Sequence, residues 1–162
     1  MKTFPQKLIF ALFVILTISC TNEENPLSSE QTTFIPASKP IELEVLHLIN
    51  DYRVEKGLSP LKQLSLIKTQ TYEHTLYMIH QNSISHDDFY KRSEYLRKNT
   101  PAICVGENVA RGFSTAKSVV RAWINSESHR KNIEGNFNYF DVSAEQSESG
   151  KWYFTNIFVE KR

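Results

Sequence analysis

The 162-residue sequence predicts an α+β fold, with helices first and an antiparallel sheet closing the chain. Three observations carry this. Apolar residues recur at helical spacing early in the domain, as at Ile41, Val45, Leu48, Ile49 and Tyr52. Aromatic and β-branched residues concentrate later, in Phe140–Glu145 and Trp152–Glu160, on either side of Ser149-Gly150, which is a hairpin signature. Helices and strands are segregated along the chain, which points to helices packed on an antiparallel sheet.

The helix from Ile41 is stopped by Gly57, with Pro60 beyond. A second helix is expected over about Ser65–Gln81, on a less regular face, because Gln70, Glu73 and His74 interrupt Leu66, Ile67, Tyr77 and Met78. A shorter one over about Asp88–Arg97 ends before Pro101. Val105–Val109, apolar and near glycines, reads as a strand. Ser114 or Thr115 caps a helix whose face is Ala116, Val119, Val120 and Trp123. A helical turn near Arg130–Ile133 precedes the two terminal strands, so the sheet is expected to be three-stranded. Trp123 reads as core. Asn50 and Arg53, one turn apart, read as bonding a neighbouring segment. His47, His74 and His80 read as surface or half-buried residues without a matching partner.

Composition allows one domain and a short targeting segment: 40% of residues are hydrophobic, 12% aromatic and 23% charged. A formal charge of +1 gives no support for a nucleic-acid partner. Residues 1–19 read as a signal peptide. Lys2 and Lys7 precede the largely apolar stretch Leu8–Ile18, which as a helix would rise only about 16 Å, roughly half a bilayer core. Ser19-Cys20 resembles the bacterial lipobox, although Thr17 stands where an aliphatic residue is usual. The resemblance implies a diacylglycerol on Cys20 and an acylated amino terminus, which together make a stable membrane anchor. Loss of Lys2 and Lys7 takes the formal charge to −1. Residues 20–40, polar and with three prolines, read as the acylated cysteine and a flexible tether. Glu23-Glu24 resembles the export signal of some surface lipoproteins, so the expected location is the outer membrane or cell surface. Cys104 is then left without an intramolecular partner and reads as a small buried hydrophobe.

Four segments in order resemble the CAP family (cysteine-rich secretory, antigen 5 and pathogenesis-related proteins; SCP-like), in its compact bacterial branch. They are Leu48-Ile49-Asn50-Asp51-Tyr52-Arg53 with Gly57-Leu58-Ser59-Pro60-Leu61; Ser85-His86; Gly106-Glu107-Asn108-Val109-Ala110; and the run from Trp123 to Ile133, which holds Ser126, Glu127, Ser128, His129 and Arg130. Tyr153–Phe158 resembles the family's last strand. The resemblance covers residues 41–160 and implies an α-β-α sandwich over a domain of residues 41–162. It also implies that His86, Glu107 and His129 converge in a cleft.

Two imidazoles and a carboxylate are a sufficient first shell for Zn²⁺ or another divalent cation, leaving a position for water. A metal-bound water beside a carboxylate begins a hydrolytic mechanism. The spacings match no local metal motif, so the same residues equally suit hydrogen-bonded loop positioning, with Glu107 on backbone amides or Arg130. Eukaryotic members often carry a second glutamate where this chain has Ser126, and bacterial members often carry Pro-Gly where it has Glu127-Ser128; Glu127 is a candidate substitute carboxylate. Asn108 reads as structural. Two functions follow. One is a non-enzymatic binding module for an envelope lipid, glycan or protein, anchored to the membrane by its amino-terminal lipid. The alternative is a metal-dependent hydrolase acting on peptide or cell-envelope substrates.

Overall fold

The computed structural model describes residues 34–162; the expected signal peptide, Cys20 and most of the expected tether lie outside the described residues. Along the described chain run α1 (Pro40–Glu55), β1 (Lys62–Gln63), α2 (Ser65–His80), α3 (Phe89–Asn99), β2 (Ala102–Arg111), α4 (Ala116–Asn125), α5 (Glu127–Ile133), β3 (Tyr139–Gln146) and β4 (Trp152–Lys161). The expected elements are all present, in the expected order. α1 starts at Pro40, so the irregular segment ends at Lys39; proline suits the first helical turn because its fixed φ is already helical and its missing N–H would be unpaired there. None of these helices is long and apolar enough to cross a membrane.

The sheet has four strands, not three, in the order β1-β3-β4-β2. The fourth is β1, which pairs in parallel with the start of β3 (Lys62 opposite Tyr139). Two residues cannot show a period-two pattern, and the partner lies far along the chain, so nothing local announces this strand. The remaining pairings are antiparallel, with Asn108 opposite Asn156 and Val142 opposite Asn156 across β4.

Helices cover both faces, giving the α-β-α sandwich that the family resemblance implied. One face carries Phe140, Val142, Ala144, Phe154 and Phe158, packed with Val45, Ile49, Val119, Val120, Trp123 and Ile133 from α1, α4 and α5. The other carries Val105, Ile157 and Val159, packed with Ile67 of α2 and Leu96 of α3. Burial on both sides explains why β4 reads as a nearly continuous apolar run. Each such fully buried side chain contributes about 1.5–3 kcal/mol.

α2 explains its irregular face by burying polar groups that bond locally. Thr71 and Thr75 hydroxyls donate back to the carbonyls of Lys68 and Thr71, and Thr75 also meets Thr155 at 2.9 Å. Lys68 reaches the outer edge of β3 beyond the short β1. Its Nζ donates to Val142 O at 2.9 Å and pairs with Glu42 of α1 at 2.6 Å; Glu42 accepts from Ala144 N at 2.7 Å. A paired lysine and glutamate therefore occupy backbone groups that an open edge would offer to another chain.

Asn50 and Arg53 bond neighbouring segments as expected. Asn50 exchanges two hydrogen bonds with the Leu61 backbone, and Arg53 donates to the carbonyls of Ser59, Ile133 and Gly135. Arg53 thus ties the end of α1 to the end of α5. Trp123 is 1% exposed, as a core residue should be.

Candidate functional site

β2 lies at the edge of the sheet opposite β1, and its alternation sends consecutive side chains to opposite faces. Glu107 faces α2 and α3; Asn108 faces α4 and α5. Backbone groups on the outer edge are taken by the helices over it. Asn132 Nδ2 donates to Glu107 O at 3.1 Å and to Asn108 Oδ1 at 2.8 Å, and Trp123 Nε1 donates to Val109 O at 3.2 Å. Gly106 permits this approach: a Cβ there would stand 2.8 Å from Asn132 Oδ1. Asn108 Nδ2 donates to His129 O at 3.0 Å, so it fixes the backbone that carries His129. Asn108 is fully buried and spends its amide on the α5 backbone and on Asn132.

Glu107 is buried to 1% of its side-chain surface and fully engaged. Arg92, from α3, donates through Nε and Nη2 to both carboxylate oxygens, each at 2.9 Å, and through Nη1 to Asp87 O at 2.7 Å. His86 Nδ1 lies 2.8 Å from Glu107 Oε1, with its ring half exposed. A carboxylate is the acceptor in that bond, so Nδ1 carries the hydrogen and Nε2 of the neutral ring keeps its lone pair. Glu107 therefore bonds Arg92 and His86. The backbone amides and Arg130 considered from sequence are not its partners; Arg130 instead donates to Ile124 O at 2.8 Å.

His74 corrects the sequence reading. It is 3% exposed, its Nε2 lies 2.8 Å from Ser85 O and 4.0 Å from Glu107 Oε1, and its ring stacks on Tyr77 at 5.7 Å. A carbonyl can only accept, so Nε2 is the protonated nitrogen. Burial pushes its pKa below the ordinary histidine value, against the pull of Glu107. The polar residues around it in sequence hid it, because a residue on the inner face of α2 is recognisable only once the partner carboxylate from β2 is placed. Arg92 was missed for the same reason; it lies in a helix otherwise rich in exposed charge.

His129 sits at the start of α5, with Nδ1 2.8 Å from Ser126 Oγ. Burial lowers its pKa, and the His86 imidazole is close enough to lower it further. The structure thus brings His86 to Glu107 directly, whereas His129 bonds Ser126 and not Glu107. Glu127 is turned to solvent and pairs with Lys131 at 2.8 Å, so it does not replace the second carboxylate. Among the described residues no three histidine, cysteine, aspartate or glutamate side chains converge in metal-ligating geometry. Cys104, expected to be buried, is exposed; it lies at the register irregularity between Ala102 and Cys104 that opens β2.

The geometry limits the chemistry. A carboxylate held by a guanidinium at both oxygens is a poor cation ligand, because a positive charge already stands against it. The two imidazoles have no hydrogen bond at Nε2 among the described residues, so these nitrogens are the groups able to engage a ligand.

Comparison with known proteins agrees with this architecture. The profile of "CAP: Cysteine-rich secretory protein family" matches residues 46–159. The uncharacterised protein YkwD of Bacillus subtilis is 32% identical over 151 residues, covering 87% of this chain; the chain spans 57% of the length of that relative. An outer surface protein of Borrelia burgdorferi superposes with a TM-score of 0.66 at 18% identity, over 73% of this chain and 90% of that one. An extracellular protein containing an SCP domain from Bacillus anthracis superposes with a TM-score of 0.65 at 23% identity, over 78% of this chain and 45% of that one.

Proposed function

The chain belongs to the cysteine-rich secretory protein (CAP) family, and from that premise we propose that it is an exported, lipid-anchored binding module of the cell envelope. The observation that carries the binding reading is the commitment of Glu107 to Arg92 and His86. A general base needs a free lone pair directed at substrate, and here both oxygens are held by donors. The ligand classes are an envelope lipid, glycan or protein; nucleic acid is not among them. Export is supported by the amino-terminal signal and Cys20, and by relatives described as extracellular or outer surface proteins. Incorporation of labelled palmitate, lost in Cys20→Ser, tests the anchor.

The His86–His129 pair is proposed as a site for Zn²⁺ or another divalent cation, through their Nε2 atoms. The donors fit: both Nδ1 atoms are turned to Glu107 and Ser126, the arrangement in which an outer hydrogen bond orients a ligating imidazole. Glu107 fits as that orienting carboxylate and not as a ligand, because the Arg92 charge stands against it. When bound, the cation supplies an electrophilic anchor for an oxygen ligand. Titration of the intact protein with Zn²⁺ should show binding that His86→Ala and His129→Ala each abolish with the fold retained. A pull-down of envelope components tests the binding function itself. Hydrolysis of envelope peptide or glycan by the purified protein, lost in Glu107→Gln, would replace this reading with the hydrolase.

A further inference from the structure

A groove runs between α2 and α3, beside the Arg92–Glu107–His86 cluster and without His86 or His129 in its lining. Two cavities of about 170 and 440 Å³ share Glu73, Asp88 and Arg92 as lining residues, so they are two parts of one depression. The smaller adds His74, Tyr77 and Asp87; the larger adds Thr69, Gln70, Lys91 and Tyr95.

Its chemistry is specific. The cations are already paired: Arg92 with Glu107, and Lys91 with Asp88 at 3.1 Å. Carboxylates exceed cations along the wall, so an anion is repelled. Glu73 accepts from Gln70 Nε2 at 3.2 Å, and Asp87 accepts from the Tyr77 hydroxyl at 2.8 Å. Each retains further acceptor capacity, and Gln70 offers both a donor and an acceptor. Thr69 is 3% exposed, and its hydroxyl has no hydrogen-bond partner among the described residues. Such an orphan is uncommon among buried polar groups, and it lies in the wall behind the groove. Tyr77 is 38% exposed, and its ring is held by stacking on the buried His74. Two tyrosine rings, carboxylate acceptors and an amide in one wall suit a ligand with apolar ring faces and many hydroxyls.

We propose that the α2–α3 groove binds a neutral linear oligosaccharide, its sugar rings over Tyr77 and Tyr95 and its hydroxyls on Gln70, Glu73 and Asp87. The proposal rests on the reading of this domain as a binding module, and it does not depend on metal at His86 and His129. The test is a ¹⁵N NMR titration of the intact protein with linear hexasaccharides of N-acetylglucosamine, glucose and mannose, with a hexalysine peptide as the cationic comparison. At least one sugar should shift amides of α2 and α3 in a saturable way. Tyr77→Ala and Gln70→Ala should each weaken that binding about fivefold, the loss of roughly one contact of 1 kcal/mol. Tyr77 is 38% exposed and touches His74 and Asp87, so its variant should keep the wild-type spectrum away from those two residues and their neighbours. No binding by any of the three sugars would overturn the proposal. So would shifts outside α2 and α3, affinity unchanged in both variants, or saturation by hexalysine alone. Zn²⁺ titration of the same samples reads the histidine pair independently, so failure at one site is distinguishable from failure at the other.

Discussion

Replacing Arg92 by methionine removes the donors that neutralise the buried Glu107 carboxylate while keeping most of the side chain's bulk. Arg92 is 9% exposed and Glu107 1%, so water can do little to compensate. Two charge-assisted hydrogen bonds disappear, with the Nη1 bond to Asp87 O that holds the turn before α3. Stripping one partner from a buried ion pair costs about 3–5 kcal/mol. His86 remains hydrogen-bonded to Oε1, which offsets part of the loss. We therefore expect about 3 kcal/mol, near the lower end of that range. Urea unfolding followed by the fluorescence of Trp123 and Trp152 measures it. The double variant Arg92→Met, Glu107→Gln should recover about 2 kcal/mol relative to Arg92→Met, because the unpaired charge is gone. A loss below about 1 kcal/mol in the single variant, or no recovery in the double, would refute the view of Glu107 as a charge locked by Arg92.

Three further outcomes are expected. Burial raises the Asp141 pKa from 3.8 to about 6, so its charged form is disfavoured in the fold and stability falls as pH rises from about 4 to 6. Asp141→Asn should accordingly stabilise the protein by up to about 3 kcal/mol at pH 7.5 and be nearly neutral at pH 3.5; equal effects at both pH values would contradict this. His74 and His129 both have lowered pKa values, so each should titrate below the ordinary histidine midpoint by imidazole NMR. Their contribution to stability is lost as pH drops through about 6.5, where the unfolded chain begins to take up protons that the folded one refuses. The exposed Cys104 should react with a thiol reagent in the native protein at a rate close to that of a free thiol, whereas reaction only on unfolding would return it to the core.

Most of the architecture was legible in the sequence because it rests on short-range patterns. Helical spacing from Ile41 to Tyr52 and from Ala116 to Trp123, the stop at Gly57 and the terminal hairpin each need only neighbouring residues to be recognised. Ordered motifs added the family, hence the helices on both faces of the sheet. The same patterns placed His86, Glu107 and His129 on the residue map, and assigned Trp123, Asn50 and Arg53 to the scaffold.

What they could not assign is which groups meet across the sheet. Arg92 and His74 lie on α3 and α2, and they become partners of Glu107 only when both helices pack against the face of β2 to which that carboxylate points. The two-residue β1 exists because β3 offers it an edge, and the Lys68–Glu42 pair because the rest of that edge is left open. Cys104 is exposed because of where β2 begins, although its residue type favours the interior. Local spacing determined the elements and the family. The burial of Glu107, Arg92 and His74 and their pairing were decided by the tertiary structure alone, because these groups lie far apart in sequence and meet only when α2 and α3 pack on β2.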